Sequence, residues 1–216
     1  INYELFSELL KDTEISNQFT NEGPAKRKLE DHLHSFLGIS KDKSLICCEN
    51  GTVALHALLT YYKKNKVAKF CTPSFNFPSG NVGGFNLKIL DIDETYSIPI
   101  SEIDNYDGFV ITTLFGTYPK NIKEWVSVCK DKNKILIFDN ASSPLTKIDG
   151  VGICNYGDAS FSSLHHTKYL GFGEGGFLVV NKEIDYEMRT IMGFGYNIKV
   201  LIIRCQMYLL QPYFKI

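Results

Sequence analysis

Apolar positions along this chain fall into two kinds of run. Short unbroken stretches, rich in β-branched and aromatic residues, occur at 69–71, 87–90, 109–114, 134–138 and 177–180. Their brevity and composition predict buried strands. Between the third and fourth lies 121–130, where Ile122, Trp125, Val126 and Cys129 recur at helical spacing on one face. Asn121 is placed to cap its start, and Lys130 and Lys132 suit its far end. Two more helices are expected. One includes 25–37, with Leu29, Leu33, Phe36 and Leu37 on the packing side. The other starts near Thr52 and runs through Ala54, Leu55, Leu58 and Leu59. This alternation predicts an α/β domain with a mostly parallel sheet. Ligands in such folds sit beyond the carboxyl ends of the strands. The order of the strands is not readable from the pattern.

Composition narrows the partners. Lys plus Arg is 23 and Asp plus Glu is 24 over 216 residues, a formal charge of -1. So even a balance argues against broad capture of nucleic acid or anionic lipid, while leaving room for a local phosphate pocket. No apolar stretch approaches the length of a membrane span. Glu4, Glu8, Lys11 and Asp12 near the start are unlike a signal peptide. The six cysteines are too few for a disulfide scaffold, and no CxxC or HExxH spacing occurs. His165 and His166 are neighbours, but on a regular strand they would face opposite ways, so no metal site is expected. Reduced, buried cysteines and a cytoplasmic location follow as expectations.

Three segments carry candidate chemistry. Glu49-Asn50-Gly51-Thr52 stands directly before a helix, where free amides and the helix dipole favour an anion. Asn50 or Thr52 as an ordinary cap explains the same residues. Asp139 follows the strand at 134–138, at the edge where α/β folds bind ligands, although a solvated or capping role fits equally. The third segment, 161–176, places Ser163 and Lys168 before four glycines in six residues. Lys168 is either an amine nucleophile or a solvated turn lysine. Together the three meet the needs of a phosphorylated cofactor bearing an aldehyde. Amides and Ser163 would take the phosphate, Lys168 the aldehyde and Asp139 a protonated ring nitrogen.

The order of these motifs resembles that of the DegT-type, pyridoxal-phosphate-dependent nucleotide-sugar aminotransferases. The resemblance spans roughly 19–197. Its carriers are Phe19-Thr20-Asn21-Glu22-Gly23-Pro24, Glu49-Asn50-Gly51-Thr52, Thr72-Pro73-Ser74-Phe75-Asn76-Phe77 and Phe138-Asp139-Asn140-Ala141. Ser163-Leu164-His165-His166-Thr167-Lys168, Gly173-Glu174-Gly175-Gly176 and Gly195-Tyr196-Asn197 complete the set. The likeness implies an aspartate-aminotransferase-like (fold type I) three-layer cofactor domain with a mostly parallel mixed sheet. It implies pyridoxal 5'-phosphate as cofactor, held covalently by Lys168, which also shuttles the proton. By the same likeness Asp139 pairs with the pyridine nitrogen and Phe77 stacks on the ring. Gly51, Thr52 and Ser163 bind phosphate, and Asn197 reaches the cofactor phosphate of a partner subunit, which implies a homodimer. The implied reaction moves an amino group from glutamate to a nucleotide-linked 4-keto-6-deoxy sugar. A pyridoxal-phosphate-dependent sugar dehydratase and a catalytically silent cofactor-fold fragment are the alternatives. Lys168 argues against dehydratase relatives that carry His at that position.

Two departures from the family pattern are visible. Ser142 stands where relatives commonly carry Gln or His near the cofactor. Relatives also continue into a small C-terminal domain, which here is expected to be largely missing. The division expected is 1–197, an N-terminal arm and cofactor-binding large domain, and 198–216, an atypical tail. Within that tail Arg204-Cys205-Gln206-Met207-Tyr208-Leu209-Leu210 admits codons that, read two bases later, encode Met-Ser-Asp-Val-Ser-Ala, close to the absent family segment. A shifted reading frame is therefore expected as the origin of the tail.

Overall fold

Strands covered on both faces need no polar alternation, and the sheet shows why the strand runs of this chain are continuous. The computed structural model describes residues 3–19, 22–171 and 173–195. In chain order it forms α1 (Tyr3–Ser16), α2 (Pro24–Phe36), β1 (Lys43–Cys48), α3 (Gly51–Lys64), β2 (Phe70–Pro73), β3 (Lys88–Leu90) and β4 (Gly108–Thr112). There follow α4 (Ile122–Asp131), β5 (Ile135–Asp139), β6 (Lys147–Ile148), β7 (Val151–Gly152), β8 (Ala159–Ser163), β9 (Gly176–Asn181) and α5 (Asp185–Thr190). Short 3-10 turns link several of them.

Seven strands make one sheet in the order β1-β9-β8-β5-β4-β2-β3, and β6 and β7 form a separate small hairpin. From β3 to β8 the neighbours are parallel, whereas β9 runs antiparallel to both β8 and β1. The sheet is thus mostly parallel and mixed, as expected. Alternate residues of each strand enter opposite cores. Phe109, Ile111, Leu136, Phe138, Phe177 and Val179 face α2 and α4, meeting Leu29, Leu33, Ile122 and Trp125. Val110, Ile137, Phe161, Leu178 and Val180 face α3, meeting Ala54, Leu55, Leu58 and Tyr62. The result is helix on sheet on helix.

The elements expected from periodicity all occur, with shifted ends. The run at 109–114 stops as a strand at Thr112, where its pairing with β5 ends at Asp139 and the Thr113 amide makes the last bond, 2.9 Å to the Asp139 carbonyl. Asp139 is the last residue of β5 rather than the residue after it. Asn121 does not cap α4: its backbone is not extended and its side chain makes no capping bond. Six elements were not anticipated, namely α1, β1, β6, β7, β8 and α5. Asn197, the tail at 198–216 and the frame shift proposed for it lie outside the described residues. Among those described, no helix is long and apolar enough to cross a membrane.

Candidate active site

At the start of α3, Asn50 is extended and its side-chain oxygen accepts the Val53 amide at 2.9 Å. One of the helix's free donors is thereby satisfied, while the Gly51 and Thr52 amides still have no carbonyl one turn behind them. They point the positive end of a 14-residue helix toward the end of β8. Glycine at 51 is a steric requirement. A Cβ there would lie 3.3 Å from the Cβ of Ser163 and 3.4 Å from the Ser162 carbonyl. Gly176 on β9 is tighter still, since a Cβ would meet the Asn50 carbonyl carbon at 2.4 Å. Two glycines therefore let a helix start press against two strand ends.

The parallel strands β4, β5 and β8 end in register, with Asp139 between Thr112 and Phe161. Asp139 is 4% exposed. Its Oδ1 accepts the Ala141 amide at 2.9 Å. Burial pushes its carboxyl up to about 6, against the lowering effects of that amide and of the Lys168 ammonium. Behind it a buried polar network holds the backbone. Thr113 Oγ1 donates to Asn140 Oδ1 at 2.9 Å, and Ser162 Oγ donates to the Asn140 carbonyl at 3.0 Å. Thr113 and Ser162 escaped the sequence reading because a lone hydroxyl in a strand run carries no distinguishing signal.

Lys168 rides on a turn between β8 and β9. Its amide donates to the His165 carbonyl, and its own carbonyl accepts the Gly171 amide, both at 2.8 Å. Gly171 passes so near that a Cβ would sit 1.9 Å from the His165 oxygen. Leu164 and Leu170, both fully buried, anchor the turn on either side. The Lys168 Nζ lies 3.5 Å from Ser142 Oγ and 5.9 Å from the centre of the Phe77 ring. Phe77 is 59% exposed, which rules out simple core filling as its role.

A cavity of about 530 Å³ brings these groups together. Gly51, Thr52, Phe77, Asp139, Ser163 and Lys168 all line it. Of the other expected residues, Ser142 touches Lys168 from beside the cavity, and Asn197 lies outside the described residues. Asn50, Ser79, Ala141, His165, Thr167 and Glu174 line the cavity too and were not singled out as site residues. Glu174 was legible only as part of a glycine run. The geometric reason for dismissing His165 and His166 fails here. They follow β8 in a turn, and their rings lie 4.0 Å apart rather than on opposite faces.

A phosphorylated, ring-bearing aldehyde fits this lining. Amides and a hydroxyl converge without side-chain obstruction, an amine stands over an exposed ring, and a carboxylate with one amide partner waits at the inner wall. The model of the DegT/DnrJ/EryC1/StrS aminotransferase family matches residues 2–200. The chain belongs to that family. It is 28% identical over 193 residues to dTDP-4-amino-4,6-dideoxy-D-glucose transaminase of Shigella dysenteriae, covering 84% of this chain and 51% of that protein. It is 25% identical over 148 residues to GDP-perosamine synthase of Escherichia coli O157:H7, covering 64% of this chain and 40% of that protein. The chain thus spans about half, or less, of the length of these relatives. Among solved structures, a PLP-dependent aminotransferase from Bacillus cereus ATCC 10987 superposes with a TM-score of 0.79 at 22% identity, covering 97% of this chain and 63% of that one. The fold is therefore that of the fold-type I aminotransferases, and pyridoxal phosphate is the cofactor of the family.

Proposed function

We propose that this chain is the cofactor-binding part of a pyridoxal-phosphate-dependent aminotransferase that passes an amino group from glutamate to a nucleotide-linked 4-keto-6-deoxy sugar. The observation that carries the reading is the convergence of Gly51, Ser163, Asp139 and Lys168 on one cavity. When bound, pyridoxal phosphate supplies an aldehyde that condenses with amines and a ring that delocalises the electron pair left at a carbon losing its proton.

The protein's own residues do the rest. The first-turn amides of Gly51 and Thr52, with the Ser163 hydroxyl, bind the phosphate dianion where the helix dipole favours it. Phe77 would offer its exposed ring as a stacking surface for the cofactor ring. Asp139, ionised at neutral pH, holds a proton on the ring nitrogen and so keeps the ring electron-poor. Lys168 would hold the cofactor through its aldehyde and, as a free amine, would serve as the base that takes up and returns the substrate proton. Ser142 Oγ, within reach of Nζ, steadies the released amine. Lysine at 168 supports transamination over sugar dehydration.

Residues 1–197 form the arm and large domain, and Asn197 reaches the phosphate of a partner in a homodimer. Phe75, Phe77 and Phe115 support that pairing, being 59%, 59% and 81% exposed large apolar residues with Phe77 on the cavity wall. A cytoplasmic setting accords with the five described cysteines being free and buried.

Mixing the purified chain with pyridoxal phosphate and then with glutamate tests the reading. A visible absorption band that depends on Lys168, and that glutamate bleaches as 2-oxoglutarate forms, is the expected result. Cofactor that washes off equally from the wild-type chain and from Lys168→Ala would leave the proposal without support. Keto-sugar nucleotides that restore the band would then define the acceptor.

A further inference from the structure

We propose that His165, His166 and Glu174 form a binding site for a borderline divalent transition-metal ion, such as Zn²⁺, Co²⁺ or Ni²⁺, at the mouth of the cofactor cavity. One ligand atom from each residue lies within 4.8 Å of the others. The tightest pair is His165 Nε2 and Glu174 Oε1, 3.2 Å apart. Metal–ligand bonds of about 2.0–2.2 Å place adjacent ligand atoms roughly 3.0–3.5 Å apart in octahedral or tetrahedral geometry. The pair therefore already has the spacing of two neighbouring ligands.

The other ring nitrogen of His165 fixes the position of the ring. Nδ1 is 2.8 Å from Thr167 Oγ1. Nδ1 also accepts the Thr167 amide at 3.3 Å, so in the metal-free chain Nε2 carries the ring proton toward Glu174, and an ion between the two would take that proton's place. A ligating histidine whose second nitrogen is held by a neighbour is the usual outer arrangement of a metal site. The His166 ring lies 4.0 Å from that of His165 and is exposed, so a small side-chain rotation brings its nitrogen to the same point.

The backbone beneath is built to hold the three together. His166 donates its amide to the Gly173 carbonyl at 2.7 Å, and Leu164 donates to the Gly175 carbonyl at 2.8 Å. The arm carrying both histidines is thus laced to the arm carrying Glu174. Two imidazoles and one carboxylate suit borderline ions, whereas Mg²⁺ and Ca²⁺ prefer all-oxygen sets. Three protein ligands leave one or more positions open to water. His165 and Glu174 line the cavity and His166 does not, so the ion sits at its rim and ties the glycine-rich return to the turn that bears Lys168.

Metal binding is measured on the chelator-treated chain by equilibrium dialysis with Zn²⁺ and by the visible spectrum of added Co²⁺. Neither readout depends on the cofactor or on transamination, so this inference and the proposed function fail separately. One ion per chain is expected, with affinity reduced at least about tenfold in His166→Ala and again in Glu174→Gln. The urea midpoint of metal-free His166→Ala should match that of the metal-free parent, because its side chain is exposed. Absence of saturable binding, or binding unchanged in both variants, overturns the site.

Discussion

Asp139 shows most plainly how one residue couples the fold to its chemistry. Its carboxyl is buried with a single amide on Oδ1, and burial raises its pKa from 3.8 to about 6. The folded, cofactor-free protein therefore binds this proton more tightly than the unfolded chain does. Its contribution to stability is present below pH 4 and is lost as pH rises through about 6. A shift of this size corresponds to about 3 kcal/mol. Asp139→Asn removes the ionisation and should stabilise the cofactor-free chain by about 2 kcal/mol at pH 7.5, while flattening the dependence between pH 4 and 6. Urea denaturation across that range checks both. The same substitution removes the partner of the ring nitrogen, so glutamate-driven bleaching of the cofactor should slow by at least about a hundredfold. At this scale the motifs around Gly51, Asp139, Ser163 and Lys168 were legible, because phosphate, nitrogen and aldehyde each demand a particular residue type. The supporting hydroxyls of Thr113 and Ser162 were not, since serine and threonine occur everywhere.

Among the elements, the start of α3 is the most exacting. Asn50 caps it, and Gly51 and Gly176 let it approach β8 and β9. Asn50→Ala leaves the Val53 amide unpaired and should cost about 1 kcal/mol, read as a lower urea midpoint. Gly176→Ala is expected to do more harm. Its methyl would press into the peptide joining Asn50 to Gly51, displacing the amides that receive phosphate. Pyridoxal phosphate affinity, followed by absorption, should fall at least about tenfold, because a displacement of under an ångström spoils converging hydrogen bonds. Strands with β-branched runs announced themselves, whereas β8 reads Ala-Ser-Phe-Ser-Ser and did not. Its serines tolerate burial because Ser160 donates to the Cys154 carbonyl and Ser162 to that of Asn140. Cys154 lies in a turn six residues before Ser160 and Asn140 lies 22 residues before Ser162, and strand periodicity registers neither contact. Asn121 illustrates the converse, since the residue type suits a cap but the chain arrives with the wrong backbone angles.

On the scale of the whole molecule, one edge of the sheet is fastened by charge. Glu30, 5% exposed, accepts the Cys47 amide of edge strand β1 at 2.8 Å. It also meets Arg189 of α5 at 2.9 Å and Lys26 at 3.4 Å. Arg189 is shared with Asp185 and Glu22, so α2, β1 and α5 meet in a single network. Glu30→Ala would take the most buried carboxylate from Arg189 and Lys26, which both keep Glu22, and would remove the acceptor that Glu30 offers the Cys47 amide. A loss of about 3 kcal/mol in urea unfolding is expected, and Glu30→Gln, which keeps an acceptor for Cys47, should lose less.

Local sequence carried the alternation of strands and helices, the two-sided burial of the sheet and the residue types of a cofactor pocket. These follow from periodicity, steric freedom at glycine and the chemistry of single side chains, all expressed within a few neighbouring residues. The strand order, the antiparallel insertion of β9 beside β1, the network behind Asp139 and the meeting of His165, His166 and Glu174 belong to the folded chain alone. Each joins segments far apart along the backbone, or turns on a loop's dihedral angles. Which distant groups end up within a hydrogen bond of one another is set by the packing of two cores at once, a property no single window of residues contains.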